Sequence, residues 1–176
     1  MTAAIDTYDE KLCKNGLVAQ GEALWGACGA DGISWNRPTA VSDKLTPLFD
    51  RLPVSVLLAA TPAEPYRTAI AFLARTSGAV ICPRDSETRH LLGDLPVVDA
   101  LDADALTGVL QHRRAAVVRD GTIVACGPAR AEQAYITFSS VCFAGFVKFF
   151  SDLLAAAKSG KFDLAMQSAM QQARRH

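Results

Sequence analysis

The sequence predicts an α/β domain, and three observations carry that expectation. Short β-branched runs exchange with amphipathic segments along most of the chain, as strands and helices do when they share one sheet. Two of these runs meet at Asp120-Gly121, a strong hairpin signal. A broadly apolar stretch from about Glu132 to Ala157 is too long for a strand and reads as a helix buried on more than one side. With 176 residues, 50% of them hydrophobic, the chain can bury roughly two-thirds of its unfolded surface around one core. A single domain over residues 1–176 is expected, with 158–176 as a helical extension. The exchange of elements allows either two or three layers.

Ile5, Tyr8, Leu12 and Leu17-Val18 fall near helical spacing, with Asp6, Asp9 and Glu10 early, and predict an opening helix to about Gln20. Trp25 to Gly32 is glycine-rich and predicts irregular backbone. Two readings stay open there: N–H groups aimed at an anion, or a glycine turn feeding a strand at Ile33–Trp35. Asn36 to Pro38 reads as loop, and Ser42 to Arg51 as a short helix with Ser42 as N-cap. The continuous apolar run Val54–Ala60 suits a strand covered on both faces. Thr61 to Tyr66 turns the chain, and Pro65 suits the first position of a helix running to about Arg75. Glu64, just ahead of it, is either a helix-end anion or a catalytic carboxylate.

Gly78–Cys82 predicts another buried strand, ended by Pro83, and Arg84 to Leu92 one or two helical turns. A short strand at Pro96–Asp99 and a helix from Asp102 to His112 follow. The hairpin Arg114–Gly127 is expected to turn in type I′ geometry, with positive φ at both Asp120 and Gly121, and to deliver the Asp120 side chain to a sheet edge. In the long helix Tyr135, Phe138, Cys142, Phe146, Phe149 and Phe150 cover more than one face, so it is central to the core or buried against another subunit. Ser159-Gly160 breaks it, and Phe162, Ala165, Met166, Ala169 and Met170 predict a last amphipathic helix.

Charge and cysteine usage narrow the function classes. Eighteen Lys and Arg against eighteen Asp and Glu leave no basic excess for phosphates, so nucleic acid is not expected as a partner. Five scattered cysteines without a Cys-x-x-Cys pair read as free thiols in a reducing compartment. The acidic N-terminus does not read as a signal peptide, and a cytoplasmic location is expected. The most apolar stretch, Val141–Phe150, is closed off by Lys148 and Asp152 and is short of the roughly 20 residues of a membrane span, so no membrane role is expected. His90 and His112 have no partner at ligand spacing and read as surface residues.

Taken in order, the motifs resemble those of the class II aldolase/adducin-like family. Gly16-Leu17-Val18 followed by Trp25-Gly26-Ala27-Cys28-Gly29 and Ile33-Ser34 is similar to the family's Gly-Leu-Val and Trp-Gly-Thr-Ser-Gly-Asn-Ile-Ser. Thr61–Pro65, its helix and Gly78 to Arg84 resemble the family's Ser-Ser-Glu segment, helix and Gly-Ala-Val-Val-His-x-His. Ala116–Gly127 is similar to the family's Arg-Asn-His-Gly hairpin, and Glu132-Gln133-Ala134 to the start of its long helix. The resemblance covers the chain to about Ala157 and implies a three-layer α/β/α domain around a mixed, largely antiparallel sheet. It also implies a homo-oligomer, by analogy a tetramer with sites between subunits.

The departures bear on chemistry. Family enzymes hold a zinc-like ion with three histidines to polarise a substrate carbonyl; those positions here are Cys82, Arg84 and Asp120, and a guanidinium has no lone pair to donate. The usual metal site is therefore not expected, nor any other cofactor. Glu64 most nearly matches the family's acid/base Glu, and the family's phosphate-binding Asn and phosphate loop are not evident. The resemblance implies a divergent lyase or isomerase for a small carbonyl or sugar-phosphate-like substrate. Glu64 would be its acid/base, Arg84 an anion clamp or electrophile, and Cys82 and Asp120 would complete the site. Gly26, Cys28, Gly29 and Ser34 would contact the ligand. A variant keeps a metal on Glu64, Cys82 and Asp120, and the alternative is a non-catalytic member acting in assembly or ligand binding.

Overall fold

Among the described residues, β-branched and small apolar runs form seven strands: β1 (Leu24–Gly29), β2 (Gly32–Trp35), β3 (Val56–Ala60), β4 (Val80–Ile81), β5 (Leu95–Val98), β6 (Ala115–Val118) and β7 (Ile123–Gly127). They pair in the order β2-β1-β3-β7-β6-β5-β4, and every neighbouring pair is antiparallel except β5 with β6. The computed structural model describes residues 2–84 and 86–158, and among these the helices are α1 (Thr2–Lys14), α2 (Ala40–Leu45), α3 (Leu48–Arg51), α4 (Tyr66–Thr76), α5 (Ser86–Leu92), α6 (Ala103–Leu110) and α7 (Ala131–Lys158).

Side chains alternate across the sheet with the strand period of two. Trp25, Val56, Leu58, Val117 and Ala125 face one core with Leu12 of α1, Ile70 of α4 and Phe138 of α7. Leu24, Leu57, Ala59, Ala116 and Val124 face the other, with Leu45 of α2, Leu48 of α3 and Leu106 of α6. Helices therefore cover both faces, giving the three-layer α/β/α arrangement of a mixed sheet that the resemblance implied. Phe138, with no exposed surface, stabilises the first core by roughly 1.5–3 kcal/mol through burial alone.

Local chemistry moves several boundaries. The first helix ends at Lys14 rather than near Gln20, because Gly16 at φ +64° closes a Schellman motif: its N–H reaches Cys13 O at 3.0 Å, and Leu17 N–H reaches Leu12 O at 2.9 Å. Leu17 and Val18 are buried from the loop that follows. The expected helix over Ser42–Arg51 is two short helices, α2 and α3, with Pro47 between them. Its N-cap is Thr39, not Ser42; Ser42 is the third residue of the capping box, donating to Thr39 O and accepting from Thr39 N.

Trp25–Gly32 is regular structure. It forms β1 and the turn into β2, with Gly26 opposite Trp35, whose ring lies where a Cβ at Gly26 would stand. The β6–β7 turn is not type I′ either, since among the described residues no residue other than glycine has positive φ. Gly121 alone does, at +97°; its N–H reaches Val118 O at 2.8 Å, as in a three-residue loop closed by a left-handed glycine. The long helix spans Ala131–Lys158, close to the expected Glu132–Ala157, and is long and apolar enough to cross a membrane by length and composition. The expected helix at Phe162–Met170 lies outside the described residues.

Candidate functional site

Strand registers define two ends of the sheet. At one, β3 and β7 meet at Ala60 and Ile123, β5 and β6 finish together at Val98 and Val118, and β1 begins with Leu24 opposite Ala59. The Asp120-Gly121 turn lies here, so this is the turn end.

Glu64 and Asp120 both belong to the turn end. Glu64 follows β3 and serves the first turn of α4: one carboxylate oxygen accepts from the Thr68 hydroxyl at 3.0 Å and the other from Thr68 N–H at 3.3 Å. The helix-end reading of this residue is thus the one its contacts support. Asp120 accepts from Thr122 N–H at 2.8 Å, an Asx turn that fixes the loop.

Cys82 and Arg84 do not join them. β4 is antiparallel to β5, with Ile81 opposite Leu95, so the chain leaves β4 travelling away from the turn. From Leu95 to Val98 is three residues, about 10 Å at the rise of a strand, and Cys82 lies one step further on. Its thiol is exposed. Arg84 instead reaches α7, donating to Asp152 Oδ1 at 2.7 Å, while Lys148 donates to Oδ2 at 2.6 Å. Burial pushes the Asp152 carboxyl up, but hydrogen bonds from Lys148 and Arg84, and then their charges, hold it below the ordinary carboxylate value. A guanidinium committed to this carboxylate is a helix tether rather than a free anion clamp.

The expected ligand-binding set also disperses. Gly26 is buried beneath Trp35; Cys28 and Gly29 run toward the end of β1 opposite the turn, with Cys28 N–H donating to Ser55 O at 2.9 Å. Ser34 hydroxyl lies 3.5 Å from Ala27 O. The glycines serve a close strand–ring contact and a hairpin, so the turn-and-strand reading holds over an anion nest.

A different set of residues meets at the turn end. Glu22, Arg37, Thr39, Thr61, Leu101 and Thr122 line an open cleft of about 240 Å³. It sits beyond the carboxyl ends of β3 and β5, where crevices of α/β sheets commonly take ligands. Thr61 and Thr122 hydroxyls share a hydrogen bond at 3.2 Å, tying the end of β3 to the start of β7. Arg37 is positioned by donating to Glu22 O at 3.1 Å, and Asn36 holds the start of β1 by accepting from Trp25 N–H and donating to Ala23 O. The cleft thus offers a guanidinium, hydroxyls and one carboxylate, in a volume below the roughly 300–1,000 Å³ of pockets for drug-sized ligands. Thr61 was visible to sequence reasoning as the residue leaving a buried strand, but Arg37 and Thr122 carry no local signal. A groove of about 280 Å³ at the opposite end, between α1 and the start of α7, sets Tyr8, Arg130 and Glu132 among alanine, isoleucine and valine, and lacks such a hydroxyl pair.

Solved structures share this architecture. L-fuculose-1-phosphate aldolase from Thermus thermophilus superposes with a TM-score of 0.73 at 18% identity, over 88% of this chain and 95% of that one. The chain has the class II aldolase fold. YgbL from Escherichia coli, a candidate aldolase, epimerase or decarboxylase, matches with a TM-score of 0.68 at 12% identity, over 83% of this chain and 86% of that one. Another L-fuculose 1-phosphate aldolase gives 0.66 at 13%, over 86% and 85%. No family model matches the sequence, and no curated protein does.

The metal that this aldolase-like fold implies does not fit the residues present. Arg84 offers no lone pair and is paired with Asp152, while Cys82 and Asp120 leave their strands at opposite ends of the sheet. Among the described residues no group of three or more His, Cys, Asp and Glu could hold an ion, so the variant site on Glu64, Cys82 and Asp120 is not assembled within this chain.

Proposed function

We propose that this protein binds a small anionic carbonyl or sugar-phosphate-like compound at the turn end and acts on it as a divergent, class II aldolase-like lyase or isomerase, without the three-histidine metal site. The observation that carries this reading is the cleft that Arg37 lines together with the bridged Thr61 and Thr122 hydroxyls. A guanidinium pairs well with a phosphate or carboxylate, and hydroxyls can accept or donate to the sugar or carbonyl part. Glu22 is the carboxylate that lines the cleft and is assigned to proton transfer, while Glu64 and Asp120 stand at the same end engaged by Thr68 and Thr122; Cys82 and Arg84 leave the active-site list for the reasons of register and pairing given above. The relatives in fold include aldolases of L-fuculose 1-phosphate, which makes that compound the first probe.

Calorimetry with L-fuculose 1-phosphate and with inorganic phosphate tests the binding. Arg37→Ala is expected to weaken binding about 10- to 100-fold, the loss of one charged hydrogen bond of roughly 1.5–3 kcal/mol. No measurable binding by the wild-type protein at millimolar ligand would remove the proposal. Proton exchange at the carbon beside the carbonyl, followed by NMR in D₂O, separates catalysis from binding. The second reading, a non-catalytic ligand-binding member, draws on the engagement of Arg84 by Asp152 and of Glu64 by Thr68. Binding without exchange would select it.

A further inference from the structure

The groove opposite the turn end is bounded on one side by α1 and on the other by the segment that enters α7. Its floor is apolar: Ile5, Val56 and Ala131 are buried, and Ala129 extends the same surface. Its polar lining is Tyr8, Arg130 and Glu132. Among the described residues none of these three side chains takes part in a hydrogen bond or an ion pair. Arg130 and Glu132 are two positions apart, a spacing that does not favour pairing with each other, so both charges are left for a ligand.

The walls are fixed in advance. Trp25 indole N–H donates to Asp9 Oδ1 at 2.9 Å and the Asn15 side-chain amide to the Tyr135 hydroxyl at 2.7 Å, which holds α1 against β1 and α7. The Tyr8 ring lies 5.4 Å from that of Tyr135, and Lys11 Nζ stands 4.7 Å from its centroid. On the other wall Gln133 Oε1 accepts from Ala129 N–H at 2.9 Å and from Arg130 N–H at 3.0 Å, pinning the turn that carries Arg130. Walls already ordered lose little freedom when a ligand enters.

We propose that this groove binds a free α-amino acid with an apolar side chain of about leucine's size. Its carboxylate pairs with the Arg130 guanidinium and accepts from the Tyr8 hydroxyl, its ammonium pairs with Glu132, and its side chain lies on Ile5, Val56 and Ala131. Charge selects the class. One cation and one anion leave the lining neutral, so a phosphate or a fatty acid meets the Glu132 carboxylate and a simple amine meets the Arg130 guanidinium. An α-amino acid carries both charges on one carbon, whereas the end of a peptide carries only one of them. Size agrees, since about 280 Å³ falls just short of the roughly 300–1,000 Å³ of pockets for drug-sized ligands. The groove is also separate from the turn-end cleft. Val56 opens β3 and Ala60 closes it, about 13 Å along the strand, and each lines a different one of the two.

Calorimetry on the full chain tests the site with L-leucine, L-isoleucine, L-valine and L-methionine. Saturable binding of at least one at millimolar concentration is expected, and binding by none of the four overturns the proposal. The amide of the tightest binder lacks the carboxylate and its N-acetyl derivative lacks the ammonium; each should bind about 10- to 100-fold more weakly. Either derivative binding as well as the parent compound would reject the paired charges. Arg130→Ala and Glu132→Gln, both at exposed positions, should keep the wild-type circular dichroism spectrum and weaken the amino acid by a similar factor. Glu132→Gln should in addition bind the N-acetyl derivative more tightly than the wild type does, because the opposing carboxylate is gone. Unchanged affinity for the amino acid in either variant would sink the assignment. Arg37→Ala should leave this binding intact and inorganic phosphate should not compete with it, so failure of ligand binding in the turn-end cleft does not touch this result.

Discussion

Gly145 offers a sharp test of how α7 is seated on the domain. A Cβ at this position would stand well inside van der Waals contact with Cδ1 of Ile70 and 3.3 Å from its Cγ1, across the α4–α7 packing. Ile70 has no exposed surface, so its end methyl must turn into a filled core. Overpacking of this sort costs about 1–3 kcal/mol, offset by about 1 kcal/mol when glycine leaves a helix interior. Gly145→Ala should therefore destabilise by up to about 2 kcal/mol, lowering the thermal midpoint by up to about 4–8 °C in a chain of this size. Ile70→Val removes the clashing methyl at a cost of about 0.5–1.5 kcal/mol. In the double variant the new methyl occupies part of the space vacated, so the two changes should couple favourably by about 1–2 kcal/mol. Urea denaturation of the four proteins at 25 °C measures the cycle. Losses that add to within about 0.5 kcal/mol would refute the close approach of the two helices.

Other expectations follow from the same contacts. The Asp152 carboxyl lies below its ordinary value in the folded chain, so its ion pairs contribute stability above the unfolded value and lose it as pH falls through the folded one. Urea midpoints measured from pH 6 to pH 2 should fall less steeply for Asp152→Asn than for the wild type, and identical slopes would dismiss the tether. Burial pushes the Cys126 thiol up to about 12 and Cys142 higher still. A chromogenic thiol reagent on the native protein should therefore modify exposed Cys28 and Cys82 rapidly, reaching Cys126 and Cys142 only with unfolding; mass spectrometry of peptides reads out the order. Gly121→Ala places a side chain at φ +97° with its Cβ 3.2 Å from Ala71 Cβ. It should cost at least about 1–2 kcal/mol for the left-handed backbone alone, and a neutral effect in thermal melts would contradict the turn.

Patterns that are local and self-sufficient were legible in the chain. The apolar run ending at Ala60, the Asp-Gly bend and the long aromatic helix needed only periodicity and turn chemistry, and they suffice to place an α/β sheet with helices around it. β1 was opaque for a physical reason: a strand of Leu-Trp-Gly-Ala-Cys-Gly has little propensity of its own, and it is ordered by pairing with β2 and β3 and by the Trp35 ring over Gly26. The motif order that resembles class II aldolases carried the fold correctly, while motif positions alone could not say which side chains share a site.

Tertiary structure decided that, through strand direction. Spacing along the chain brings Cys82 and Arg84 close to Glu64 in sequence, yet antiparallel pairing of β4 with β5 sends them away from the turn, and the charge of Asp152 draws Arg84 onto α7. Thr61 and Thr122 are far apart in the chain and meet because β3 finishes and β7 starts at one end of the sheet, where Arg37 lines the same cleft. The sequence determined which segments become strands and helices, because periodicity and turn residues act over a few neighbours; only the completed sheet determined which ends of those segments face each other, because pairing direction is chosen by contacts between residues tens of positions apart.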